Sequence, residues 1–176
     1  MSDTSAKKPA VLKVENLQAW YGESHILHGM TFDVNEGEVV TLLGRNGAGK
    51  TTTLRSIMGI VEARTGVVEI NGKSALSVPA HMISPMGIAY CPEERGIYKS
   101  LTVRENLMLP PVIAPGGMTV DEIFELFPNI AERLNSGGGN LSGGEQQMLA
   151  IARILRTGHR AGSENAEIPG LYNPVG

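Results

Sequence analysis

Between Val11 and Val34, short apolar runs alternate with polar positions and with turn pairs at Tyr21-Gly22 and His28-Gly29. That alternation predicts antiparallel strands. A different pattern follows. Glu38-Val39-Val40-Thr41-Leu42-Leu43 is β-branched and apolar almost throughout, the pattern of a buried strand. It stops at Gly44, and helix-forming residues run from near Lys50 to about Met58. Val67-Val68-Glu69-Ile70 predicts a further strand, closed by the turn pair Asn71-Gly72. Gly87-Ile88-Ala89-Tyr90 predicts another, stopped by Pro92.

The second half reads as helical. Thr102-Val103-Arg104-Glu105 and Thr119-Val120-Asp121-Glu122 both place a hydroxyl three residues before a glutamate, the pattern of a capping box. Pro110-Pro111 and Pro115-Gly116-Gly117 predict a loop between them, and Gly137-Gly138-Gly139 predicts a flexible break. Ser142-Gly143-Gly144-Glu145 is a third capping box. It opens a helix with Met148, Leu149, Ala152 and Leu155 as its apolar stripe and Gly158 at its end. Residues 1–10 read as a disordered lead, and a helical subdomain is expected at about 95–156.

Composition narrows the class. The chain has 176 residues, 41% hydrophobic and 19% charged, enough for one globular domain with a real core. A net charge of -3 argues against nucleic acid as a partner, since phosphate binders carry a basic surplus. The single cysteine, Cys91, allows no internal disulfide and suggests a reducing, cytosolic setting. No window approaches the run of about 20 apolar residues that a membrane span requires. No direct membrane insertion is expected, and any membrane role would come through a protein partner.

The sharpest chemical signal is Gly44-Arg45-Asn46-Gly47-Ala48-Gly49-Lys50-Thr51, which fits G-x-x-x-x-G-K-[ST] between an apolar run and a helix. The glycines let the backbone curl so that several N–H groups point at one phosphate chain. The positive end of the following helix adds attraction for negative charge. In this arrangement Lys50 reaches the β- and γ-phosphates, Thr51 ligates Mg²⁺, and Thr52 adds a hydroxyl bond to the α-phosphate. A random chain of this length matches the pattern roughly once in 200 trials at ordinary residue frequencies. ATP and Mg²⁺ are therefore the expected ligands.

Leu141-Ser142-Gly143-Gly144-Glu145-Gln146-Gln147 is rarer still. With this run after a phosphate loop, the sequence resembles the nucleotide-binding subunits of ATP-binding cassette (ABC) transporters, whose signature begins LSGGQ or LSGGE. The resemblance implies an α/β fold: a phosphate-loop NTPase core of ABC type, with an antiparallel β N-terminal part and an α-helical subdomain. It also implies that two such subunits meet head to tail, each ATP lying between one subunit's phosphate loop and the other's signature, with permease subunits as membrane partners. Leu141 to Gln146 would then face the partner's ATP. Capping alone would also explain Ser142 and Glu145, but it does not require two glycines between them. Tyr21 falls where the family stacks an aromatic ring on adenine, with Trp20 as a substitute. Glu93, in Cys91-Pro92-Glu93, falls where the family usually has a glutamine near Mg²⁺, and its carboxylate is a second candidate metal ligand. Cys91 itself reads as a small buried residue rather than a reactive thiol.

Finer segments resemble the ATPase subunits of branched-chain amino acid importers. They are Tyr21-Gly22, Pro92-Glu93-Glu94-Arg95, Leu101-Thr102-Val103-Arg104-Glu105-Asn106-Leu107 and Gly143-Gly144-Glu145-Gln146-Gln147-Met148-Leu149-Ala150. Urea and short-amide importers share most of them, and Tyr21-Gly22-Glu23-Ser24-His25-Ile26-Leu27 leans their way. The resemblance covers about Val11 to Thr157 and places the chain at the inner face of the plasma membrane, held there by permeases. In the family a buried strand ending in Asp-Glu follows the signature helix, and a later strand delivers a histidine. Here Gly158 to Gly170 contains no apolar run. No catalytic residue is assigned: His159, Glu164 and Glu167 read as tail residues, within an expected disordered tail at 158–176. A partial cassette, truncated or frameshifted after about Thr157 and deficient in hydrolysis, is expected. The alternatives are a non-catalytic nucleotide-binding remnant or sensor. A small kinase or GTPase is disfavoured, having no use for Leu141 to Gln147.

Overall fold

The computed structural model describes residues 9–158, apart from Glu93, Arg95 and residues 113–115. Most of the lead at 1–10 and of the tail at 158–176 therefore lies outside the described residues. Two compact units divide the remainder, one up to Ile88 and one from Ala89 onward.

The first unit is built on a four-stranded antiparallel sheet in the order β2-β1-β3-β4. β1 (Ala10–Tyr21) and β2 (Ser24–Asn35) form a long hairpin through the two-residue turn Gly22-Glu23. β3 (Arg64–Ile70) pairs with the other edge of β1, and β4 (Lys73–Ser74) returns through Asn71-Gly72 as expected. Besides Val11 near its start, β1 buries Leu12 and Val14, then Leu17 and Ala19, so the two-residue period slips by one after Val14. Both pairings of β1 shift register there, and Asn16 takes φ 47°. This bulge restores the inward face for the second half of the strand.

It also corrects the reading of His28-Gly29, which is no turn but the interior of β2. Gly29 has φ 101°, and a Cβ there would sit 2.7 Å from the Asn16 side-chain oxygen. Glycine is required opposite the bulge rather than at a chain reversal.

The expected buried strand at Glu38–Leu43 does not form. No strand of the described residues pairs with this segment, and Val39 and Leu43 are 92% and 85% exposed. A run apolar on both faces belongs between two neighbouring strands. Every pairing in the described sheet involves only β1 to β4, so among the described residues the segment has no neighbouring strand. Gly87–Tyr90 is likewise no strand, showing a single bridge at Tyr90, although Ile88, Ala89 and Cys91 are buried. Apolar composition drove burial there without supplying a ladder.

α1 (Lys50–Ile57) lies against β1 and β2 and buries Leu54 and Ile57. Each such side chain contributes about 1.5–3 kcal/mol on leaving water. Beyond it, the Arg64 guanidinium donates to the carbonyls of Val61, Leu76 and Val78, tying the loop after α1 to the approach of α2 (Ala80–Ile83).

The second unit is helical: α3 (Val103–Met108), α4 (Val120–Leu126), α5 (Pro128–Ala131) and α6 (Gly143–Arg156). Their core is Val103, Leu107, Ile123, Ile130, Leu141, Leu149 and Ala152. Met148 packs against it from the expected stripe of α6, and Leu155 is half-buried. All three capping boxes form, each with the N-cap hydroxyl accepting from the third helical N–H. Gly158 follows α6 with φ 79°. The expected flexible break at Gly137–Gly139 is instead ordered. Gly138–Asn140 make a 3₁₀ turn, and the Gly138 and Gly139 amides donate to Leu101 and Lys99 carbonyls at 2.8 and 3.1 Å. Among the described residues no helix is long and apolar enough to cross a membrane.

Candidate functional site

The phosphate loop runs from the unpaired segment into α1. Gly44 to Ala48 are exposed, and the Ala48 amide donates to the Arg45 carbonyl at 3.0 Å, closing a tight turn. Gly49 is buried with φ 87°, and a Cβ there would lie 2.7 Å from Leu27 Cδ2. Glycine is therefore demanded twice over, by the left-handed backbone and by the wall of β2. The same contact seats the loop near the end of the hairpin that carries Tyr21, because Leu27 pairs with Ala19 and Tyr21 with Ser24.

The N-terminus of α1 is electrically open. It has no side-chain cap and no acidic residue in its first turn, whereas α3, α4 and α6 are each closed by a hydroxyl and a glutamate. The first amide of α1 to find a backbone carbonyl is that of Thr53, which donates to Gly49 at 2.8 Å. Lys50, Thr51 and Thr52 come before it, where helix geometry leaves amides without partners. Lys50 Nζ curls back over the loop and donates to the carbonyls of Gly44 (2.6 Å) and Arg45 (3.2 Å). A cation held only by neutral carbonyls beside open amides fits a phosphate chain. Thr53, which the sequence reading did not single out, turns its buried hydroxyl to the Gly49 carbonyl at 2.9 Å. Of the three consecutive threonines it is a helix brace, leaving Thr51 and Thr52 as the candidate ligand hydroxyls.

Tyr21 stands at the hairpin tip, 47% exposed. Trp20 is engaged elsewhere, stacked on His25 with ring centroids 4.4 Å apart, and His25 in turn meets His28 at 4.1 Å. The exposed ring is thus that of Tyr21. As for Mg²⁺, Glu93 lies outside the described residues, and no group of three or more metal-ligating side chains gathers among the described ones. Thr51 is the candidate donor that remains among the described residues, which suits an ion that arrives with phosphates and keeps several waters.

In the second unit, Ser142 caps α6. Its amide donates to Glu145 Oε2 at 2.7 Å, and its hydroxyl accepts from the Glu145 amide at 3.3 Å. The Ser142 amide and hydroxyl, with the Arg133 guanidinium 3.0 Å from Glu145 Oε1, hold this carboxyl below the usual carboxylate range. Gly143 and Gly144 are exposed, a Cβ on Gly144 would meet nothing, and as the first two residues of α6 their amides have no intrahelical acceptor. Leu141 is buried in the helical core, and Gln146 Nε2 donates to the Leu141 carbonyl at 3.1 Å. Cys91 is buried, with Gln147 Nε2 3.4 Å from its sulfur. Burial pushes its thiol up, against smaller opposing effects of Gln147 and Arg153. It is an inert core residue, as expected.

Comparison with known proteins settles what these two motifs belong to. A family model described as ABC transporter matches residues 27–160, both motifs included. The chain belongs to the ABC transporter family. Among relatives of this ABC cassette, the high-affinity branched-chain amino acid transport ATP-binding protein BraG of Pseudomonas aeruginosa is 38% identical over 148 residues. That alignment covers 82% of this chain and 64% of BraG. The lipopolysaccharide export system ATP-binding protein LptB of Haemophilus influenzae is 38% identical over 152 residues, covering 83% of this chain and 63% of LptB. The dimeric structure of a bacterial ABC transporter cassette superposes with a TM-score of 0.68 at 27% identity, covering 83% of this chain and 69% of that one. The cassette thus spans a little under two thirds of the length of these two curated relatives.

Proposed function

We propose that this chain is the ATP-binding subunit of an ABC importer, energising transport by binding ATP with Mg²⁺, with branched-chain amino acids as the solute class. The observation that carries nucleotide binding is the Lys50 ammonium, resting on the Gly44 and Arg45 carbonyls at the uncapped start of α1. In the bound state Gly44 to Thr52 wrap the phosphates with amides, Lys50 exchanges its carbonyl partners for phosphate oxygens, and Thr51 offers its hydroxyl to Mg²⁺. The exposed Tyr21 ring offers a stacking surface to the base. ATP itself supplies the energy of its terminal phosphoryl bond.

The Gly143 and Gly144 amides, in exposed residues at the start of α6, suit the phosphates of a nucleotide held by a second cassette, so the working unit is a pair. The solute reading rests on the identity to BraG and on the segments around Glu94, Asn106 and Gln147. LptB is as identical, so amino-acid transport is to be tested against lipopolysaccharide export. We propose further that this chain alone hydrolyses ATP severely slowly, because positioning of a general base is worth about 10²–10⁴-fold and Gly158 to Gly170, after the signature helix, contains no apolar run ending in Asp-Glu. A placement at the inner face of the membrane follows from permease partners rather than from this chain's own helices.

The deciding experiment is a titration of the folded chain with fluorescent ATP and GTP, with and without Mg²⁺. Saturable ATP binding that is stronger than GTP binding and lost in Lys50→Ala supports the reading; guanine preference, or affinity indifferent to Lys50, overturns it. Steady-state hydrolysis matching that of full-length cassettes would remove the claim of slow turnover.

A further inference from the structure

Asn106 is a fully buried polar side chain, 0% exposed, on α3. Its oxygen accepts from the Tyr98 amide at 2.9 Å, and its Nδ2 donates toward the carbonyls of Tyr98 (2.9 Å), Leu101 (3.2 Å) and Thr102 (2.9 Å). One amide thereby fixes both ends of the loop Tyr98–Thr102. That loop is in turn the acceptor surface for the turn before the signature. Gly138 and Gly139 donate to the Leu101 and Lys99 carbonyls, and Thr102 bridges Gly137. The approach is close: a Cβ on Gly138 would lie 2.8 Å from the Tyr98 carbonyl oxygen and 3.1 Å from Asn106 Nδ2. From Gly138 the tie continues, since Gln146 Nε2 reaches both the Gly138 and the Leu141 carbonyls, at 3.4 and 3.1 Å. Ser142 follows directly.

We propose that Asn106 is a positioning residue for the signature turn, setting through the Tyr98–Thr102 loop and Gly138 where the Ser142, Gly143 and Gly144 amides stand. It touches no nucleotide. A leucine would fill the same space but leave the Tyr98 amide without its acceptor and remove one of two donors from each of three carbonyls, which keep the backbone amides of Leu101, Gly138 and Asn106. The Tyr98–Thr102 loop, to which the Gly137–Asn140 turn bonds, would then be held less firmly, while the helical core stayed packed. This rests on the proposed pairing of cassettes for its functional consequence, but not for its structural one.

The test uses the full chain with Asn106→Leu, Gly138→Ala and, as a control, Ile130→Val, which weakens the same helical core without touching the clasp. Amide hydrogen exchange resolved at single residues reads the clasp directly. Exchange at Gly138 and Gly139 is expected to rise at least about tenfold in both clasp variants and to stay within about twofold in Ile130→Val. Mg-ATP-dependent self-association is expected to weaken at least about tenfold in the clasp variants, with monomer nucleotide affinity unchanged. Unchanged exchange in Asn106→Leu overturns the proposal, as does an equal rise in Ile130→Val. If Asn106→Leu does not fold, Gly138→Ala carries the same comparison. Should the wild-type chain bind ATP without associating, the pairing of cassettes fails, and the exchange measurement still decides the clasp.

Discussion

Replacing Lys50 by alanine separates the role its ammonium has in the free chain from the role proposed for it in nucleotide binding. In the free chain it ties the start of α1 to the loop through the Gly44 and Arg45 carbonyls, at 2.6 and 3.2 Å. Those carbonyls belong to exposed residues, so water replaces the lost bonds, and the variant is expected to lose no more than about 1 kcal/mol of stability. On nucleotide binding the ammonium moves to charged phosphate oxygens. Bonds to charged groups are worth about 1.5–3 kcal/mol each, and the surrendered carbonyl bonds offset part of two of them. A net loss of about 1.5–3 kcal/mol remains, or roughly 10- to 150-fold in affinity, since 1.4 kcal/mol is tenfold. Fluorescent-ATP titration alongside thermal unfolding measures both quantities on one sample. A folded Lys50→Ala chain that binds ATP within about twofold of wild type would refute the assignment of this loop as the phosphate site.

Other substitutions test the surroundings. Gly49→Ala forces a left-handed alanine against Leu27, and calorimetry is expected to show a loss of about 1–3 kcal/mol; an unchanged melting temperature would contradict the contact. Val39→Lys with Leu43→Glu is expected to raise the concentration at which the chain aggregates, because those exposed apolar positions form an unpaired strand-like segment. Light scattering that is identical for variant and wild type would show the segment to be covered. Two helix caps are acid-sensitive. The Thr102 hydroxyl and amide hold Glu105 below the usual carboxylate range, and the Ser142 amide and hydroxyl do the same for Glu145. A carboxyl lowered by folding contributes fully above its unfolded value of about 4.3, and that contribution disappears as pH falls through the lower folded value. Far-UV dichroism is therefore expected to report loss of helix on acidification below about pH 4, with a shallower dependence in the double variant Glu105→Gln, Glu145→Gln. Cys91 should react with a thiol reagent only as the chain unfolds; stoichiometric labelling of the native chain at neutral pH would contradict its burial.

Local chemistry was legible in the order of residues, since it depends on neighbours a few positions apart. Three hydroxyl-to-glutamate spacings became three capping boxes, Asn71-Gly72 became a hairpin turn, and Gly44 to Thr51 became a loop opening an uncapped helix. Family membership was legible for the same reason, because both motifs are contiguous. What depended on remote partners was not. Val39 to Leu43 has the composition of a central strand, but a strand exists only with a neighbour to bond, and none of the described residues supplies one. His28-Gly29 carries turn residues, yet Gly29 serves the bulge at Asn16 on another strand. Gly137 to Gly139 has the composition of a hinge, yet remote groups, among them the carbonyls of Lys99 and Leu101 nearly forty positions away, hold it still. The sequence alone determined which residues can grip a phosphate and where helices begin. The tertiary structure decided which backbone groups find partners, because hydrogen bonds between distant segments are set by packing and not by composition.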